Sequence, residues 1–329
     1  MKIRNRFLFF HKQFRVIILL VICAFLAVYF LQIWGFNSQE TLLTFRQTYF
    51  GKLVWKTART IVYKVFLNPY FYLPIAAIFA LELIIPAKKN QKLFSVGIAQ
   101  DFIWFLFDIG VRIILLTPYI VLVKIFYTKY LSFLTLDTIA NLAAPIPLIF
   151  GLLIGDFLLW FSHFLKHKVK FFWYFHAIHH SQKELNLFTD LRFHFVEYLV
   201  AIPILHIPLY MLKVSMPTAV AYLFFYKWYL RTYHGNIKSN FGWFRYILVT
   251  PQSHRIHHSF QAKHLDKNFG NLFSIWDYLF NTQYKNYNEY PDTGIEDEHF
   301  PYEKSPHLFS LLKTYFAQLI YPFRLLIGK

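Results

Sequence analysis

Four long apolar runs constrain the fold of this chain more than any other feature of its sequence. They cover Val16–Trp34, Phe71–Ile85, Phe102–Tyr127 and Leu142–Phe161, and each is near the length that a helix needs to cross about 30 Å of hydrocarbon. Because 57% of the 329 residues are hydrophobic and only 16% are charged, the chain is more apolar than a soluble domain. The sequence therefore predicts an all-α integral membrane bundle of about four transmembrane helices.

Shorter apolar segments predict further contacts with the membrane. Tyr198–Leu212 and Pro217–Tyr229, on either side of Lys213, predict a hairpin that dips into the bilayer. Leu42–Phe66 carries basic residues at spacings typical of an amphipathic surface helix, and Leu308–Ile327 is expected to lie at the interface. Within the third run, Asp108 and Arg112 are spaced i,i+4 and predict a structural ion pair, since charges inside membranes are usually paired.

Basic residues predict the orientation of the bundle and its partners. A basic stretch precedes the first run, which is expected to be a retained anchor, and Lys88, Lys89 and Lys92 follow the second; cytoplasmic loops carry such an excess of Lys and Arg. Four crossings then return the chain at His163 to the cytoplasmic side. The formal charge of +17 suits anionic lipid headgroups. Nucleic acid is excluded as a partner, because the positive residues flank apolar runs and form no stripe on a polar domain.

Histidines give the strongest functional signal. HxxxH stands at the end of the fourth run, HxxHH occurs twice further on, and one more histidine lies between the two HxxHH motifs. Residues spaced i, i+3 and i+4 share a helix face, so each motif projects its imidazoles into one place. The residues are His163, His167, His176, His179, His180, His234, His254, His257 and His258.

This histidine pattern predicts two metal ions. Imidazole suits iron, zinc, copper and nickel, and the eight residues of the three motifs exceed what one ion can bind. Burying so many imidazoles together would cost free energy unless a cation organised them. Thiolate ligation is excluded, since Cys23 is the only cysteine and lies in the first apolar run. The HExxH pattern of zinc hydrolases is also absent.

A metal pair with imidazole ligands beside lipid tails indicates oxidation chemistry. Iron with O₂ can remove hydrogen from an unactivated C–H bond, which no side chain can do alone. The protein must position one methylene near the metals and exclude water. Open alternatives are a metal or proton transporter, which predicts ionisable residues along the spans, and a bis-histidine haem protein of electron transfer.

Four stretches resemble the fatty acid hydroxylase and sterol desaturase superfamily of membrane di-iron enzymes. They are Asp156–His167 (DFLLWFSHFLKH), Trp173–Ser181 (WYFHAIHHS), Leu191–Glu197 (LRFHFVE) and Thr250–Thr282 (TPQSHRIHHSFQAKHLDKNFGNLFSIWDYLFNT). The cluster order, the spacing and the flanking residues all agree with the family. The resemblance covers roughly Ala87–Ile295 and implies a cytoplasmic helical cap that holds a di-iron site.

The resemblance also implies cofactors and ligands. Two iron ions would be the cofactors and O₂ the co-substrate, and the nine histidines named above match metal ligands of the family. His194 of the RxHxxE element is a candidate tenth ligand, with a supporting or substrate-facing role as the alternative. Five polar residues are candidates for orienting imidazoles through hydrogen bonds, with ordinary capping or loop bonding as the alternative. They are Asp156, Glu197, Asn236, Asp266 and Asn268.

The resemblance implies three regions and a separate electron donor. An N-terminal anchor and surface helix region would occupy 1–86, the hydroxylase-like domain 87–295, and an interfacial tail 296–329. Because the sequence has no HPGG segment, ferredoxin cysteines or GxGxxG loop, electrons would come from a cytochrome b5-like or ferredoxin/reductase partner.

The expected substrate is a membrane lipid such as a sterol or a fatty acyl chain. Hydroxylation is favoured over desaturation, an inactive relative stays open, and the membrane would be bacterial cytoplasmic or endoplasmic reticulum.

Overall fold

The fold is helical throughout the part of the chain that the structure describes. A computed structural model describes residues 52, 56, 59, 69–92, 94–143 and 145–328. Among these residues the only β-type pairings are two isolated bridges, so the all-α prediction is confirmed there. The run Val16–Trp34 lies outside the described residues, as does Leu42–Phe66 apart from Lys52, Lys56 and Arg59, which are helical and exposed.

The chain divides into two compact units, Met1–Val62 and Tyr63–Lys329, and the helices named here belong to the second. Two π-helical turns, Arg112–Leu116 and Tyr127–Leu131, and a final 3₁₀ turn join two of the α-helices into one long helix, Val96–Leu134. The α-helices are α1 (Pro69–Ile84), α2 (Val96–Val111), α3 (Thr117–Phe126), α4 (Asp137–Ala140), α5 (Ile146–Lys168), α6 (Lys170–His180), α7 (Phe195–Met211), α8 (Met216–His234), α9 (Pro251–His257), α10 (Ile275–Leu279) and α11 (Leu308–Leu326).

Two helices of the described residues are long and apolar enough to cross a membrane, Val96–Leu134 and α5. They contain the third predicted span and most of the fourth. Large apolar side chains point outward, with Ile114 65% and Leu122 59% exposed, which is the arrangement that lipid contact favours. The second predicted span corresponds to α1, whose 16 residues fall short of the about 20 that a crossing needs.

Helices α7 and α8 form the predicted hairpin, but it extends further than a shallow dip. Its turn lies beside the loop that joins the two long helices: the Leu136 N–H donates to the Met211 carbonyl at 3.0 Å, and Lys213 pairs with Asp137 at 2.6 Å. The hairpin therefore extends to the end of the bundle opposite His163. Its arms pack mainly on other helices, α7 on α5 and α3, and α8 on α9 and α1.

The ion pair predicted from i,i+4 spacing is present and links two helices. Arg112 Nε donates to Asp108 Oδ2 at 2.5 Å. The Tyr198 hydroxyl of α7 donates to Asp108 Oδ1 at 2.7 Å and accepts from Arg112 at 2.9 Å. Because all three groups satisfy one another, a charged pair is tolerated within a helix that is mainly apolar.

A cap of short helices and loops covers the end of α5 that carries the HxxxH motif. Its loops are tied to the bundle by buried polar groups. Arg192 donates to Asp101 of α2 at 2.5 Å and to Glu303 at 3.2 Å, and Gln318 of α11 accepts from Trp104 Nε1 at 2.8 Å. Helix α11 packs on α2 and α6, so the C-terminal segment supports the cap.

Candidate metal centre

Nine buried or nearly buried histidines converge in two groups inside the cap. In each group, one nitrogen of every side chain lies within 4.8 Å of the corresponding nitrogens of the others. The first group is His163, His167, His176, His180 and His257, and the second group is His179, His234, His254 and His258. All nine histidines singled out from the sequence are thus brought together.

Helical spacing explains how two motifs serve both groups. In α6, His176 and His180 are four residues apart and enter the first group, whereas His179 enters the second. In α9 the assignment is reversed: His254 and His258 enter the second group and His257 the first. Positions i and i+4 lie nearly one above the other, while i+3 is rotated to one side. Each HxxHH motif therefore bridges the two groups.

The first group contains two nitrogen lone pairs that face each other. His163 Nδ1 lies 2.9 Å from the Phe269 carbonyl, and His176 Nδ1 lies 2.8 Å from Glu197 Oε2. Both partners accept only, so each Nδ1 carries the proton and each Nε2 of the neutral ring carries a lone pair. These Nε2 atoms are 3.0 Å apart. Two lone pairs at this distance repel each other, and a cation bound by both removes the repulsion.

Further ring nitrogens of the first group have no partner within the described part of the chain. The buried Nε2 atoms of His167, His180 and His257 accept and donate no hydrogen bond. His257 Nδ1 donates to the Lys267 carbonyl at 2.9 Å, which leaves its Nε2 as a lone pair. Unpaired buried polar atoms are costly, and metal coordination would satisfy all three.

The second group is built around His234 at the C-terminal end of α8. Its Nδ1 donates to the Leu230 carbonyl at 2.7 Å, which turns Nε2 toward its neighbours. That Nε2 lies 2.8 Å from His254 Nε2 and 3.2 Å from His179 Nε2. His258 Nε2 lies 3.0 Å from His254 Nε2. Four imidazole nitrogens therefore converge, which is the number that a closed tetrahedral metal site uses.

Burial keeps these imidazoles neutral. It lowers the pKa of His179, His180, His254 and His258 well below the ordinary value, and the neighbouring histidines lower it further. Burial also lowers the pKa of His257 to about 4. Neutral imidazole is the form that binds metals, and its nitrogen suits iron and other transition metals. The residues present therefore fit two transition-metal ions, and iron is one of the metals they suit.

His194 lies outside both groups. It caps the N-terminus of α7, where its Nδ1 accepts from the Val196 N–H at 3.2 Å. Its Nε2 lies 3.2 Å from the Leu319 carbonyl. Both ring nitrogens thus have backbone partners, and the structure does not bring this candidate tenth ligand to the metal centre.

Glu197 is the one candidate of the five polar residues whose side chain contacts an imidazole of the groups. Its Oε2 accepts from His176 Nδ1 and from Lys166 Nζ, each at 2.8 Å. Asp156, expected to orient an imidazole on its own helix, instead accepts from the backbone N–H groups of Leu272 and Phe273 at 2.8 and 3.1 Å. The indole N–H of Trp276 also donates to Asp156, at 2.9 Å, so this carboxylate binds the loop that faces its helix and not an imidazole.

The other three candidate residues also bind groups other than a histidine ring. Asp266 pairs with Lys168 on the surface. Asn268 donates to the Ser253 carbonyl at 2.9 Å, and Asn236 accepts from buried Arg255 at 3.1 Å. These contacts place the loop after α9, whose Lys267 and Phe269 carbonyls hold His257 and His163.

Asp277 is a buried residue of the site that sequence reasoning missed. Its carboxylate accepts from Trp160 Nε1 of α5 at 2.9 Å and from the N–H groups of Phe269 and Gly270 at 2.9 and 2.8 Å. It therefore fixes the loop that presents the Phe269 carbonyl to His163. An acidic residue among aromatic ones (WDYLFNT) was the available signal. The backbone carbonyls themselves leave no signal in a sequence.

A cavity of about 310 Å³ opens beside the histidines. At one end it is lined by members of both groups, including His163, His176 and His234. It lies between the arms of the α7–α8 hairpin and is bounded by Val96–Leu134 and α5. Its apolar wall includes Leu116, Ile120, Leu159, Ile202, Leu205 and Leu223. Such a wall suits a hydrocarbon chain.

Comparisons with known proteins agree with this geometry. Residues 148–282 match the family model described as fatty acid hydroxylase. An ornithine lipid hydroxylase of Rhizobium tropici is 34% identical over 41% of this chain and 40% of its own length. The alkylglycerol monooxygenase of Homo sapiens is 31% identical over 49% of this chain and 37% of its own length, and that of Caenorhabditis elegans 31% over 42% and 27%.

The chain spans two fifths or less of the length of these curated relatives. No solved structure matches it. The matched segment 148–282 contains all nine histidines of the two groups. The resemblance predicted from the histidine motifs is confirmed by the family model and by these relatives.

Proposed function

We propose, on the premise that residues 148–282 belong to the fatty acid hydroxylase family, that the chain hydroxylates a C–H bond of a membrane lipid. The observation that carries the proposal is the pair of buried histidine groups at one end of an apolar cavity. The relatives support it, since they are named as lipid hydroxylases or monooxygenases. These names favour hydroxylation over desaturation.

The proposed cofactor is a pair of iron ions, one held by each histidine group. The first group would supply up to five nitrogens and the second group four. Bound there, the irons would supply the O₂ activation that breaks an unactivated C–H bond. In the overall reaction one oxygen atom enters the C–H bond and the other leaves as water, with two electrons and two protons supplied from outside. A cytochrome b5-like or ferredoxin/reductase partner is proposed as the electron source.

The protein residues would orient ligands, position the substrate and exclude water. Carbonyls of Phe269, Lys267 and Leu230 fix the rings of His163, His257 and His234 with Nε2 inward, so the ligands are preorganised. The leucine and isoleucine wall of the cavity would hold a hydrocarbon chain against them. Burial of the groups keeps bulk water from the reacting centre.

The distribution of basic residues supports a proposed orientation of the site in the membrane. The domain at 87–295 would hold the site, the region 1–86 would anchor it, and 296–329 would lie at the interface. The site would face the cytoplasm, because Lys88, Lys89 and Lys92 lie at the cap end of α1 and α2. The membrane would be the bacterial cytoplasmic membrane or the endoplasmic reticulum.

The geometry favours this function over the two rivals raised by the sequence. A bis-histidine haem site needs single histidines facing each other across a porphyrin, whereas here nine imidazoles form two compact groups. A transport relay needs ionisable residues along a path through the membrane. The clustering at one end of α5 supports a fixed metal pair instead.

The proposal is tested by metal content and by isotope incorporation. Protein purified in detergent is expected to contain about two irons per chain, measured by plasma mass spectrometry. His257→Ala and His179→Ala remove one member of each group and should lose iron, whereas His299→Ala, an exposed histidine, should not. Membrane lipids from expressing cells grown under ¹⁸O₂ should gain one ¹⁸O atom. Haem, or no stoichiometric metal in fresh preparations, would contradict the proposal.

A further inference from the structure

The cavity beside the histidines carries a charged patch that the proposed oxidation does not use. The patch consists of Arg112 from the long helix Val96–Leu134, Asp190 from the loop before α7, and Lys227 from α8. All three residues line the cavity together with its apolar wall. The other charged residue of the lining, Lys166, is paired with Glu197. Charges beside an apolar wall are costly unless they are paired or meet a charged ligand.

Pairing leaves one positive charge of the patch uncompensated. Arg112 is bound to Asp108 and to the Tyr198 hydroxyl. Asp190 accepts from Arg231 Nε at 3.3 Å. Lys227, in contrast, has no ion pair and no hydrogen bond with any residue that the structure describes. Its ammonium lies 6.0 Å from the Tyr226 ring and is attracted by Asp190 without pairing with it, because Asp190 already pairs with Arg231.

A hydrogen-bond acceptor of the patch is also unused. Asp190 is 4% exposed, and its Oδ2 is buried without a hydrogen-bond partner in the described part of the chain. A carboxylate oxygen accepts up to two hydrogen bonds, and leaving it unpaired inside a protein costs free energy. The Lys227 ammonium and Asp190 Oδ2 therefore both lack a hydrogen-bond partner among the described residues, and both residues line the same cavity.

We propose that this patch binds the polar headgroup of the lipid substrate, and that the headgroup carries one anionic group together with an N–H or O–H donor. Lys227 would pair with the carboxylate or phosphate of the headgroup, and Asp190 Oδ2 would accept from the donor. The inference rests on the proposed function, because it names the substrate class of the same cavity. An uncharged lipid with hydroxyls would satisfy Asp190 Oδ2 but leave the charge of Lys227 uncompensated.

The position of the patch also limits which carbon is oxidised. Lys227 precedes His234 by seven residues on α8, which is roughly 10 Å along the helix axis. A headgroup held at Lys227 would place the reacting C–H bond in the part of the lipid nearest the headgroup. Oxidation at the far end of a long acyl chain is not expected.

The test is lipid binding to the full-length protein as purified, kept free of O₂ so that no ligand is consumed. Three probes are compared by intrinsic tryptophan fluorescence. N-Oleoylglycine has a carboxylate and an N–H, 1-oleoyl-lysophosphatidic acid has a phosphate and an O–H, and 1-O-octadecylglycerol has hydroxyls but no charge. Wild-type protein is expected to bind at least one anionic probe about tenfold more tightly than the glycerol ether, and the better anion identifies carboxylate or phosphate as the source.

Variants assign the preference to Lys227. Lys227→Met should weaken binding of the preferred anionic probe about tenfold and leave the glycerol ether unchanged, whereas Lys227→Arg should restore most of the affinity. Lys304→Met removes the same charge from an exposed position outside the cavity and should change neither. Measurements at moderate salt suppress attraction by the basic surface, since a buried pair is screened less.

Outcomes separate this inference from the proposed function. Equal affinity of wild-type protein for charged and uncharged probes would overturn the inference, even if Lys227→Met did not fold. Equal weakening of all probes in Lys227→Met would also overturn it. N-Oleoylsarcosine, which lacks the N–H, should bind more weakly than N-oleoylglycine, and equal binding would remove Asp190 from the headgroup site. Lipid binding through Lys227 without any ¹⁸O incorporation would instead count against the proposed function alone.

Discussion

Glu197 orients His176, a proposed metal ligand, through a hydrogen bond. Its carboxylate accepts from both His176 Nδ1 and Lys166 Nζ, so it fixes the ring while its charge is balanced by Lys166. A ligand imidazole that donates to a carboxylate is a stronger donor to a metal. The residue was a candidate from the RxHxxE element, but Lys166 was not.

We expect Glu197→Gln to weaken iron binding by about 10–100-fold. Glutamine retains an acceptor but loses the charge that balances Lys166, so the ring is held less firmly. The measurement is iron retention against increasing concentrations of a chelator. Glu296→Gln, at an exposed position, is the matched control. Unchanged retention in Glu197→Gln would mean that His176 needs no carboxylate partner.

For His194, in contrast, we expect a substitution that leaves iron retention unchanged. Asparagine is a good N-cap, so His194→Asn should keep the cap of α7 and retain iron at the wild-type level. His234→Asn, which removes a member of the second group, should lose iron under the same conditions. Metal analysis of the two variants side by side decides the matter. Iron loss in His194→Asn would restore it as a tenth ligand.

Side-chain spacing made eight of the nine histidines predictable, and the family resemblance added His234, but neither predicted their division into two groups. The HxxHH motif indicates a shared face, and the finer rotation between i+3 and i+4 decides that His179 and His257 cross to the other group. The partners that orient the rings are largely backbone carbonyls. Because every residue has a carbonyl, no sequence pattern distinguishes those of Lys267 and Phe269.

At the scale of elements, the loop that follows α9 is as important as the helices. The Asp277 carboxylate accepts from Trp160 of α5 and from two N–H groups of this loop, and so joins the loop to α5. A fourth hydrogen bond, from the Thr282 hydroxyl at 2.6 Å, holds the carboxylate itself. At Gly270, any side chain would collide, since an added Cβ would lie 2.8 Å from the Phe273 carbonyl oxygen. The loop therefore packs closely around Gly270 and the Asp277 carboxylate.

We expect Asp277→Asn to destabilise the protein by about 1–3 kcal/mol, because the asparagine NH₂ group faces donors that the carboxylate accepted from. Thermal unfolding in detergent measures this change. Asp137→Asn, at the exposed end of α4, should change the melting temperature little. Iron retention should fall in Asp277→Asn, since the loop presents the carbonyl that orients His163. Equal melting of both variants would show that the loop is held by other contacts.

The helices were predictable to the extent that apolar length defines them. The hairpin was predicted from Lys213 between two apolar segments, yet its depth was not, because the contact of Leu136 with Met211 joins residues far apart in sequence. Asp156 failed as an orienting residue for a related reason. Its loop partners, Leu272 and Phe273, come close only when the chain folds back onto α5.

On the scale of the whole molecule, the described residues combine a buried apolar core with an apolar exterior. Histidines, Arg192 and Asp101 are buried together with apolar residues such as Ile178 and Leu185, whereas Phe225 is 71% and Ile114 65% exposed. Hydrophobic content alone predicted the membrane class, and these exposed apolar side chains agree with it. The number of crossings is not fixed by it, since only Val96–Leu134 and α5 reach a spanning length in the described residues.

Labelling of introduced cysteines tests the orientation. In a Cys23→Ser background, Asp137→Cys lies between the two long helices and Lys304→Cys lies on the cap side, both at exposed positions. A membrane-impermeant maleimide added to intact cells should label the first, and should label the second only after permeabilisation. Labelling of both from the same side would contradict two antiparallel crossings.

Metal removal should destabilise the whole cap. Without a cation, the lone pairs of His163 and His176 face each other at 3.0 Å. A ligand bound at about 1,000 times its dissociation constant contributes about 4 kcal/mol, so iron chelation should lower the melting temperature by roughly 10 °C. Added ferrous iron should restore it. A His179→Ala, His257→Ala double variant should melt at the lower temperature with or without chelator.

The contribution of α6 and α9 to both histidine groups sets an order of events during biosynthesis. Neither group is complete until His254, His257 and His258 have left the ribosome, and the Lys267 and Phe269 carbonyls follow later still. By then the two long helices and the hairpin have already been made. Under the proposed function, iron delivery would therefore be a late step that follows membrane insertion, and a cell short of iron would accumulate inserted chains with an unfinished cap.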